Sequence, residues 1–451
     1  MQNHDIIAAI ATPPGKGSIG VVRISGKDLK PVANEILGFV PRERNAQLCN
    51  FYDQEGQVID QGIALYFPAP NSYTGEDVLE LQGHGGSAIM NLLLSRCISV
   101  GTRLAEPGEF TLRAFLNNKL DLVQAEGIAD IINATTNQAA RCAVRSLQGD
   151  FSIAIHALVA SITNLRILIE ATLDFPEEDT AILLPASPVK QIDSILAALE
   201  QVFVFSRQGN LLREGITVVL VGEPNVGKSS LMNRLAGEEV AIVTEIPGTT
   251  RDTIHQTIQI EGVPLHLIDT AGLRETADIV ELSGIQRTYA AIKKADMVIL
   301  LIDLGSKEQF TDDQILKDIP PELPLLTVYN KIDLLNKAPR AYNEKRGPVI
   351  HLSAKEGSGI ELLRKKLLDM AGWQSNDSEE GLFMARQRHL QSLINARKQL
   401  ENARSILSGG QYLELAAEEL RLSQQSLTSI TGEFTADDLL GQIFSSFCIG
   451  K

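Results

Sequence analysis

Residues 222–229 read GEPNVGKS, the spacing GxxxxGK[ST], between an apolar run (TVVLV) and a helix-like run (SSLMNRLAG). That context makes the segment a phosphate-binding loop. Its glycines let backbone N–H groups curl toward phosphate oxygens at a helix N-terminus. Asn225, Val226 and Gly227 form the loop, Lys228 brings a point charge to the β- and γ-phosphates, and Ser229 and Ser230 open the helix, with the Ser229 hydroxyl suited to Mg²⁺. Three further clusters follow, each at the end of an apolar run: Asp269-Thr270-Ala271-Gly272, Asn330-Lys331-Ile332-Asp333 and Ser353-Ala354-Lys355. Asp269 suits the magnesium shell and the Gly272 amide suits a γ-phosphate. Guanine presents N1–H beside a 2-amino group, two donors that the Asp333 carboxylate can accept together; adenine lacks that pair. The Ala354 amide suits guanine O6. In open α/β sheets, ligands lie at the C-terminal ends of the strands, and the order of these clusters implies a GTP site.

The hydrolytic step is less legible. The residue after the DTAG run is Leu273, an apolar side chain that cannot orient an attacking water. The run GTTRD at 248–252 supplies a switch threonine for magnesium, Thr250.

These residues need a scaffold. With 451 residues the chain exceeds one core, and its texture changes three times. Residues 1–118 mix short β-like runs, such as 17–25 and 77–82, with glycine- and proline-rich turns, as in a small α+β domain. From 119 to 214 the pattern is helical, with Leu158, Ile162, Leu165, Ile169 and Leu173 on one stripe. From 215 to 372 apolar runs at 217–221, 265–268, 297–302, 325–329 and 349–352 alternate with helical stretches, which predicts a mainly parallel, doubly wound sheet. From 373 to 451 helices return, with stripes Leu393, Ala396, Leu400, Ala403, Leu407 and Leu413, Ala416, Leu420, Leu427. Neither helical half easily buries its stripe alone, so one α-helical bundle interrupted by an inserted α/β P-loop domain is expected, with two separate helical appendages as the alternative.

Hydrophobic content of 44% and charged content of 22% are those of a globular soluble protein. No secretory pattern opens the chain and no apolar run reaches the roughly 18 residues of a membrane span; a cytoplasmic protein without a membrane partner is expected. The four cysteines (Cys49, Cys97, Cys142, Cys448) have no metal-ligand spacing. A net charge of −15 argues against a generally basic, phosphate-coating surface, so any RNA must meet a local patch. The best candidate on charge is Arg386, Arg388, His389, Arg397, Lys398 and Arg404, whose alternative reading is a solvated helix face paired with acids.

GEPNVGKSS, IPGTTRD, DTAGLRE and NKID together resemble the GTPase domain of the MnmE (TrmE) family, a Ras-like domain. ATPPGKGSIGVVRISG, PNSYTGEDVLELQGHGG and PGEFTLRAFLNNKLDLVQAE resemble the family's folate-binding N-terminus, and the ending CIGK resembles its C-terminal signature. The resemblance covers the whole chain. It implies a K⁺ ion ligated by Asn225, Thr244, Ile246 and Thr249, on a nucleotide-contacting stretch that also holds Glu245, Pro247 and Gly248. It implies Glu281 as the water-orienting group and Arg251, Asp252 and Arg274 as switch residues. It assigns Arg23, Glu80, Lys119 and Lys451 to a 5-formyl- or methylene-tetrahydrofolate, and Cys448 to the modification chemistry. A carboxylate such as Glu80 can accept a pterin's 2-amino and N3–H donors. Without the resemblance, Glu281 reads as a solvated carboxylate, Arg23 as the partner of a nearby acid, and Cys448 as a small buried hydrophobe.

The resemblance further implies a homodimer joined through the N-terminal domains, an FAD-containing partner called MnmG, and modification of C5 of the wobble uridine of certain tRNAs. Nothing in this chain resembles a flavin site, so a flavin must come from elsewhere. A ribosome-assembly GTPase and a folate enzyme acting on a small molecule are the competing classes.

Overall fold

A computed structural model of the chain describes residues 5–174, 187–237, 255–269, 291–306, 319–374, 381–409, 412–433, 437–445, 447–448 and 450. It divides into two compact units: Met1–Ala129, Leu147–Pro188 and Lys398–Lys451 form one, Asp130–Ser146 and Val189–Arg397 the other. Helices α5 (Asn137–Gln148) and α7 (Pro188–Glu214) contribute Cys142 and Leu212 to the core of the second unit, inside the stretch that composition alone grouped as helical bundle.

The first unit carries a six-stranded sheet ordered β3-β4-β5-β2-β1-β6. Its strands are β1 (Ile7–Ile10), β2 (Ile19–Gly26), β3 (Gln47–Tyr52), β4 (Val58–Phe67), β5 (Asp77–His84) and β6 (Arg103–Leu104). Alternation along β2 and β5 turns Val22, Ile24, Leu79 and Leu81 toward α1 (Lys30–Leu37) and α2 (Ser87–Ser99), where they pack on Val32, Ile36, Met90 and Leu93. On the opposite face, Phe110 of α3 (Glu109–Leu116) packs with Ile7, Ala9 and Tyr73. Farther along that face Ile19, Leu48 and Ile63 are 66%, 72% and 37% exposed, so the covering is incomplete.

Also in the first unit, α6 (Asp150–Asp174) packs along α11 (Leu413–Thr431). Leu158, Ile162, Leu165 and Ile169 of the predicted stripe are buried, as are Ala416, Leu420 and Leu427 of the other, and Arg166 donates to Gln424 Oε1 across the pair (3.0 Å). The late helices thus return to the early ones. By length and apolarity α6 could cross a bilayer, but its apolar stripe is the one facing α11. The chain's end docks as its aromatic residues suggest: Ile443 and Phe444 of α12 (Asp437–Ser445) and Phe447 bury against Leu122, Ala125 and Phe115.

Arg113 joins several parts of this unit. Its guanidinium, nearly buried, meets Asp5 (2.8 Å), Glu76 (3.0 Å) and Glu109 (2.9 Å), and Arg103 bridges Asp5 and Glu109 as well. Hydrogen bonding from Arg103, with further help from Arg113, holds the Asp5 carboxyl below its ordinary range. Burial works to raise Glu109, but the two arginines outweigh it and its pKa is also lowered.

The second unit carries a seven-stranded sheet ordered β12-β13-β11-β10-β7-β9-β8. Its strands are β7 (Ile216–Val221), β8 (His255–Ile260), β9 (Val263–Asp269), β10 (Met297–Asp303), β11 (Leu325–Asn330), β12 (Arg340–Glu344) and β13 (Gly347–His351). The five inner strands, β13, β11, β10, β7 and β9, are parallel; β8 and β12 add antiparallel edges. The continuous apolar runs of β7 and β10 suit strands buried on both faces. α8 (Lys228–Ala236) and α9 (Ile360–Ala371) cover one face, with Leu231, Leu235, Leu363 and Leu367 in its core; Val219, Val221, Val298 and Leu300 belong to the core of the other.

Because Asp5 and Glu109 are depressed, the stability they contribute is fully present above the ordinary carboxylate range near pH ~4 and is lost as pH falls through their lowered values. Arg113→Met leaves Arg103 on Asp5 and Glu109 but removes the cation beside Glu76, and is expected to cost about 1–3 kcal/mol at neutral pH. Thermal unfolding should show that deficit shrinking as the pH is lowered below ~4.

Candidate nucleotide and ligand sites

The strand ends of the second unit converge on the loop between β7 and α8. Two glycines shape it. A Cβ on Gly222 would lie 2.4 Å from Leu301 O, and one on Gly227 2.4 Å from Asn330 Nδ2. Gly227, at φ 101°, also caps α8 in a left-handed conformation that L side chains resist. Asn225 adopts φ 61°, a conformation asparagine tolerates. Lys228 is buried, and its ammonium donates to the carbonyls of Gly222 and Glu223 (2.8 Å each), folding over the loop it follows. Ser229 and Ser230 are exposed at the start of α8, Val226 is buried, and Asp269 ends β9 at 5% exposure.

Asn330, at the end of β11, joins two loops. Its Nδ2 donates to Val226 O (2.8 Å), and its Oδ1 accepts the Ala354 N–H (2.9 Å). The amide expected to meet guanine O6 therefore donates inside the protein. Ser353 Oγ donates to Asp333 Oδ1 (2.6 Å), orienting that carboxylate. Two partners escaped the sequence reading. Arg234 of α8 donates to the carbonyls of Ala354 and Lys355. Asp303, at the end of β10, pairs with Lys331 (2.7 Å). Burial acts to raise the Asp303 pKa, but the Lys331 and Gly305 hydrogen bonds overcome it and the net shift is downward. Asp303 ends an apolar strand just as Asp269 does, a signal that was available; Arg234 has no local signal, since its partners lie 120 and 121 residues away.

These residues fit a nucleotide: the cradle excludes any side chain at 222 and 227, and Lys228, Ser229 and Asp269 form a donor set suited to phosphates and magnesium. Thr244, Glu245, Ile246, Pro247, Gly248, Thr249, Thr250, Arg251, Asp252, Thr270, Ala271, Gly272, Arg274, Glu281 and Lys451 lie outside the described residues.

In the first unit, Arg23 and Glu80 face each other across β2 and β5 and form an ion pair (2.9 Å). The Arg23 guanidinium lies over the rings of Tyr73 (5.2 Å) and Phe110 (5.8 Å), attractive to a cation through the ring quadrupole. Lys119 Nζ donates to Pro70 O (3.0 Å). Cys448 is exposed, not a buried hydrophobe, and its carbonyl accepts the Gly108 N–H (3.3 Å). Of the basic candidates for RNA, His389 is buried, Arg386 pairs with Asp130 (2.9 Å), and Arg397 pairs with Glu200 (3.3 Å) beneath the ring of Phe203. For Arg386 and Arg397 the ion pairs are those of a helix face paired with acids, while Lys398 and Arg404 are exposed.

Comparison with known proteins identifies the whole assembly. Residues 122–448 match the family model described as MnmE helical domain, and residues 6–119 match GTP-binding protein TrmE N-terminus. The tRNA modification GTPase MnmE of Nitrosomonas europaea is 65% identical over 451 residues, covering 100% of both chains. This chain belongs to the MnmE family. The MnmE protein of Nitrosospira multiformis is 59% identical, again over 100% of both chains. A crystal structure of Aquifex aeolicus Era bound to GDP·AlF4− aligns with 41% of this chain and 66% of that one, at 25% identity and a TM-score of 0.28.

Asp333→Asn exchanges an acceptor for a donor at the position expected to read guanine. GTP affinity is expected to fall by about 100-fold, the loss of two charge-assisted hydrogen bonds, while xanthosine triphosphate, whose 2-oxo group needs a donor, gains. Fluorescent-nucleotide titration measures both.

Proposed function

We propose that this MnmE-family chain is a GTP hydrolase that acts in tRNA modification, with the nucleotide at the C-terminal edge of the second unit's sheet. The observation that carries this reading is the convergence of the phosphate loop, Asp269, Asn330, Asp333 and Ser353 at one strand edge, with Asn330 joining Val226 to Ala354 and Ser353 holding Asp333. Lys228 would hold the β/γ-phosphates, Ser229 and Thr250 the magnesium, and Asp333 the guanine N1–H and 2-amino group. Bound magnesium supplies charge stabilisation to the phosphoryl oxygens. Asn225, Thr244, Ile246 and Thr249 would ligate potassium, backbone carbonyls suiting a hard cation, and Glu281 would orient the water. Arg251, Asp252 and Arg274 belong to the switch region.

The first unit is read as the folate-binding and modification half, with Arg23, Glu80, Lys119 and Lys451 at a formyl- or methylene-tetrahydrofolate. Arg23, over the rings of Tyr73 and Phe110, and its ion-pair partner Glu80 suit a ligand bearing carboxylates and paired N–H donors. Exposed Ile19, Leu48 and Ile63 beside them support a second copy of the chain as the cover of this face. Function boundaries are drawn at 118, 214 and 372, with Cys448 serving the uridine chemistry. An FAD-containing partner, MnmG, supplies the flavin, and the product is an aminomethyl or carboxymethylaminomethyl group at C5 of the wobble uridine. The setting is the cytoplasm.

Mass spectrometry of tRNA nucleosides from cells lacking this protein, and from cells complemented with it or with Cys448→Ser, tests the reading. The C5-modified uridine should disappear on deletion and return only with the unaltered chain. Its persistence in the deletion strain contradicts the assignment.

A further inference from the structure

The outer edge of the second unit's sheet carries charges that the nucleotide site does not use. β12 ends the sheet, pairs with β13 alone, and has every residue exposed. Residues 337–346, which contain this strand and the turn after it, read KAPRAYNEKR: four cations and one acid, in a chain of net charge −15. Lys337, Arg340, Lys345 and Arg346 are all exposed, and none forms an ion pair with another described residue. Elsewhere in the molecule arginines are taken up by carboxylates: Arg213 and Arg386 by Asp130, Arg397 by Glu200, and Arg421 by Glu418. At the β12–β13 hairpin, positive charge is left over.

One of these cations is held in place. Arg340 and Tyr342 are two residues apart on β12 and so share a face. The Arg340 guanidinium lies over the Tyr342 ring, 5.0 Å from its centre. Tyr342 Oη and Arg340 Nη2 both reach Nε2 of His351, the register partner of Arg340, at 3.2 and 3.5 Å. His351 is itself buried, with the Tyr329 ring 5.0 Å from its own. Burial lowers the His351 pKa, the positive charges of Arg340 and Lys337 lower it further, and Glu344, the one acid, does not reverse the shift. Charges on an edge strand can serve only to keep other strands from pairing with it. That role does not require a guanidinium pinned between a ring and an imidazole, whereas recognition of a partner gains from a cation ordered in advance.

We propose that the outer edge of the β12–β13 hairpin is a docking surface for the sugar-phosphate backbone of tRNA, a proposal that rests on the tRNA reading above. At ~3.4 Å per residue the five residues of β12 span about 17 Å. With Lys337 before them and Lys345 and Arg346 after, the cations extend over several successive backbone phosphates. A guanidinium fork and ammonium points suit phosphate oxygens of any sequence, so this edge positions the RNA without reading its bases. The acidity of the chain as a whole repels RNA from other surfaces, which makes a local basic edge decide where the RNA lies. An acidic protein segment is the other partner of the same charge, and the experiment separates the two.

Binding of an unmodified tRNA transcript to the full-length protein is measured from about 50 to 200 mM salt, the range in which phosphate contacts are lost. One variant carries Arg340→Gln, Lys345→Gln and Arg346→Gln. A control carries Lys30→Gln, Lys190→Gln and Lys365→Gln, three exposed cations elsewhere. The edge variant is expected to bind tRNA about 10-fold or more weakly at the low-salt end, with the log–log salt slope reduced by about two to three. GTP turnover and melting temperature should match the unaltered chain, and the control should bind within about 2-fold of it. Lys345→Gln with Arg346→Gln leaves Arg340 on Tyr342 and His351, and should give a smaller loss in the same direction. Unchanged affinity and slope in the edge variant overturn the proposal. Equal losses in edge and control variants also overturn it, making the effect one of net charge. Unchanged tRNA binding with lost wobble-uridine modification in cells makes the edge a protein-docking surface, and tRNA modification in cells without tRNA binding by the unaltered chain likewise contradicts the proposal. Absence of both binding and modification from the unaltered chain overturns the tRNA reading instead.

Discussion

The nucleotide half of the molecule depends on the two hydrogen bonds of the Asn330 side chain. One end of a single carboxamide holds the phosphate loop through Val226 O, and the other holds the guanine loop through the Ala354 amide. Asn330 itself is 3% exposed, and a buried amide leaves costly unsatisfied groups if either bond is missing. The two loops are therefore set as one. Arg234 reinforces the link from α8, Ser353 fixes Asp333, and Asp303 restrains Lys331. The loops proposed to hold the phosphates and the base share a frame because these side chains cross from one strand end to the next.

The first unit relies on a different constraint. Its sheet is fully covered on the α1 and α2 face but only partly on the other, where Phe110 and Tyr73 end and Ile19, Leu48 and Ile63 stay open. The Arg23–Glu80 ion pair lies on that incomplete face, with the Arg23 guanidinium over Tyr73 and Phe110. The Arg113 ion network stands beneath the turn carrying Glu76 and fixes α3 against the N-terminal strand region. With the C-terminal aromatics docked beside α3 and α4 (Leu122–Asn133), the tail bearing Cys448 is placed by packing.

Much of this was legible in the residues. The apolar runs at 217–221, 265–268, 297–302, 325–329 and 349–352 became β7, β9, β10, β11 and β13 with shifts of one or two residues at their ends, because continuous apolarity is what a strand buried on both faces requires. The α6 and α11 stripes were legible for the same reason. What remained hidden was the antiparallel edges, since every residue of β12 is exposed and gives no burial signal. Also hidden were contacts between residues distant in sequence, such as Arg234 with Ala354. The partners of Arg386 and Arg397, Asp130 and Glu200, were hidden for the same reason, since they lie 256 and 197 residues away in sequence. Arg23 is the partner of an acid, as its residue-level reading expects, and that acid is the other proposed folate contact.

The most direct test of the central claim is hydrogen exchange on Asn330→Ala, alongside its GTP affinity. If Asn330 joins the loops, amides of both 222–229 and 353–357 exchange faster in the variant, those of the first unit's sheet do not, and GTP affinity falls. A variant whose affinity falls while both loops exchange as before would make Asn330 a contact to the nucleotide alone, and would contradict the account.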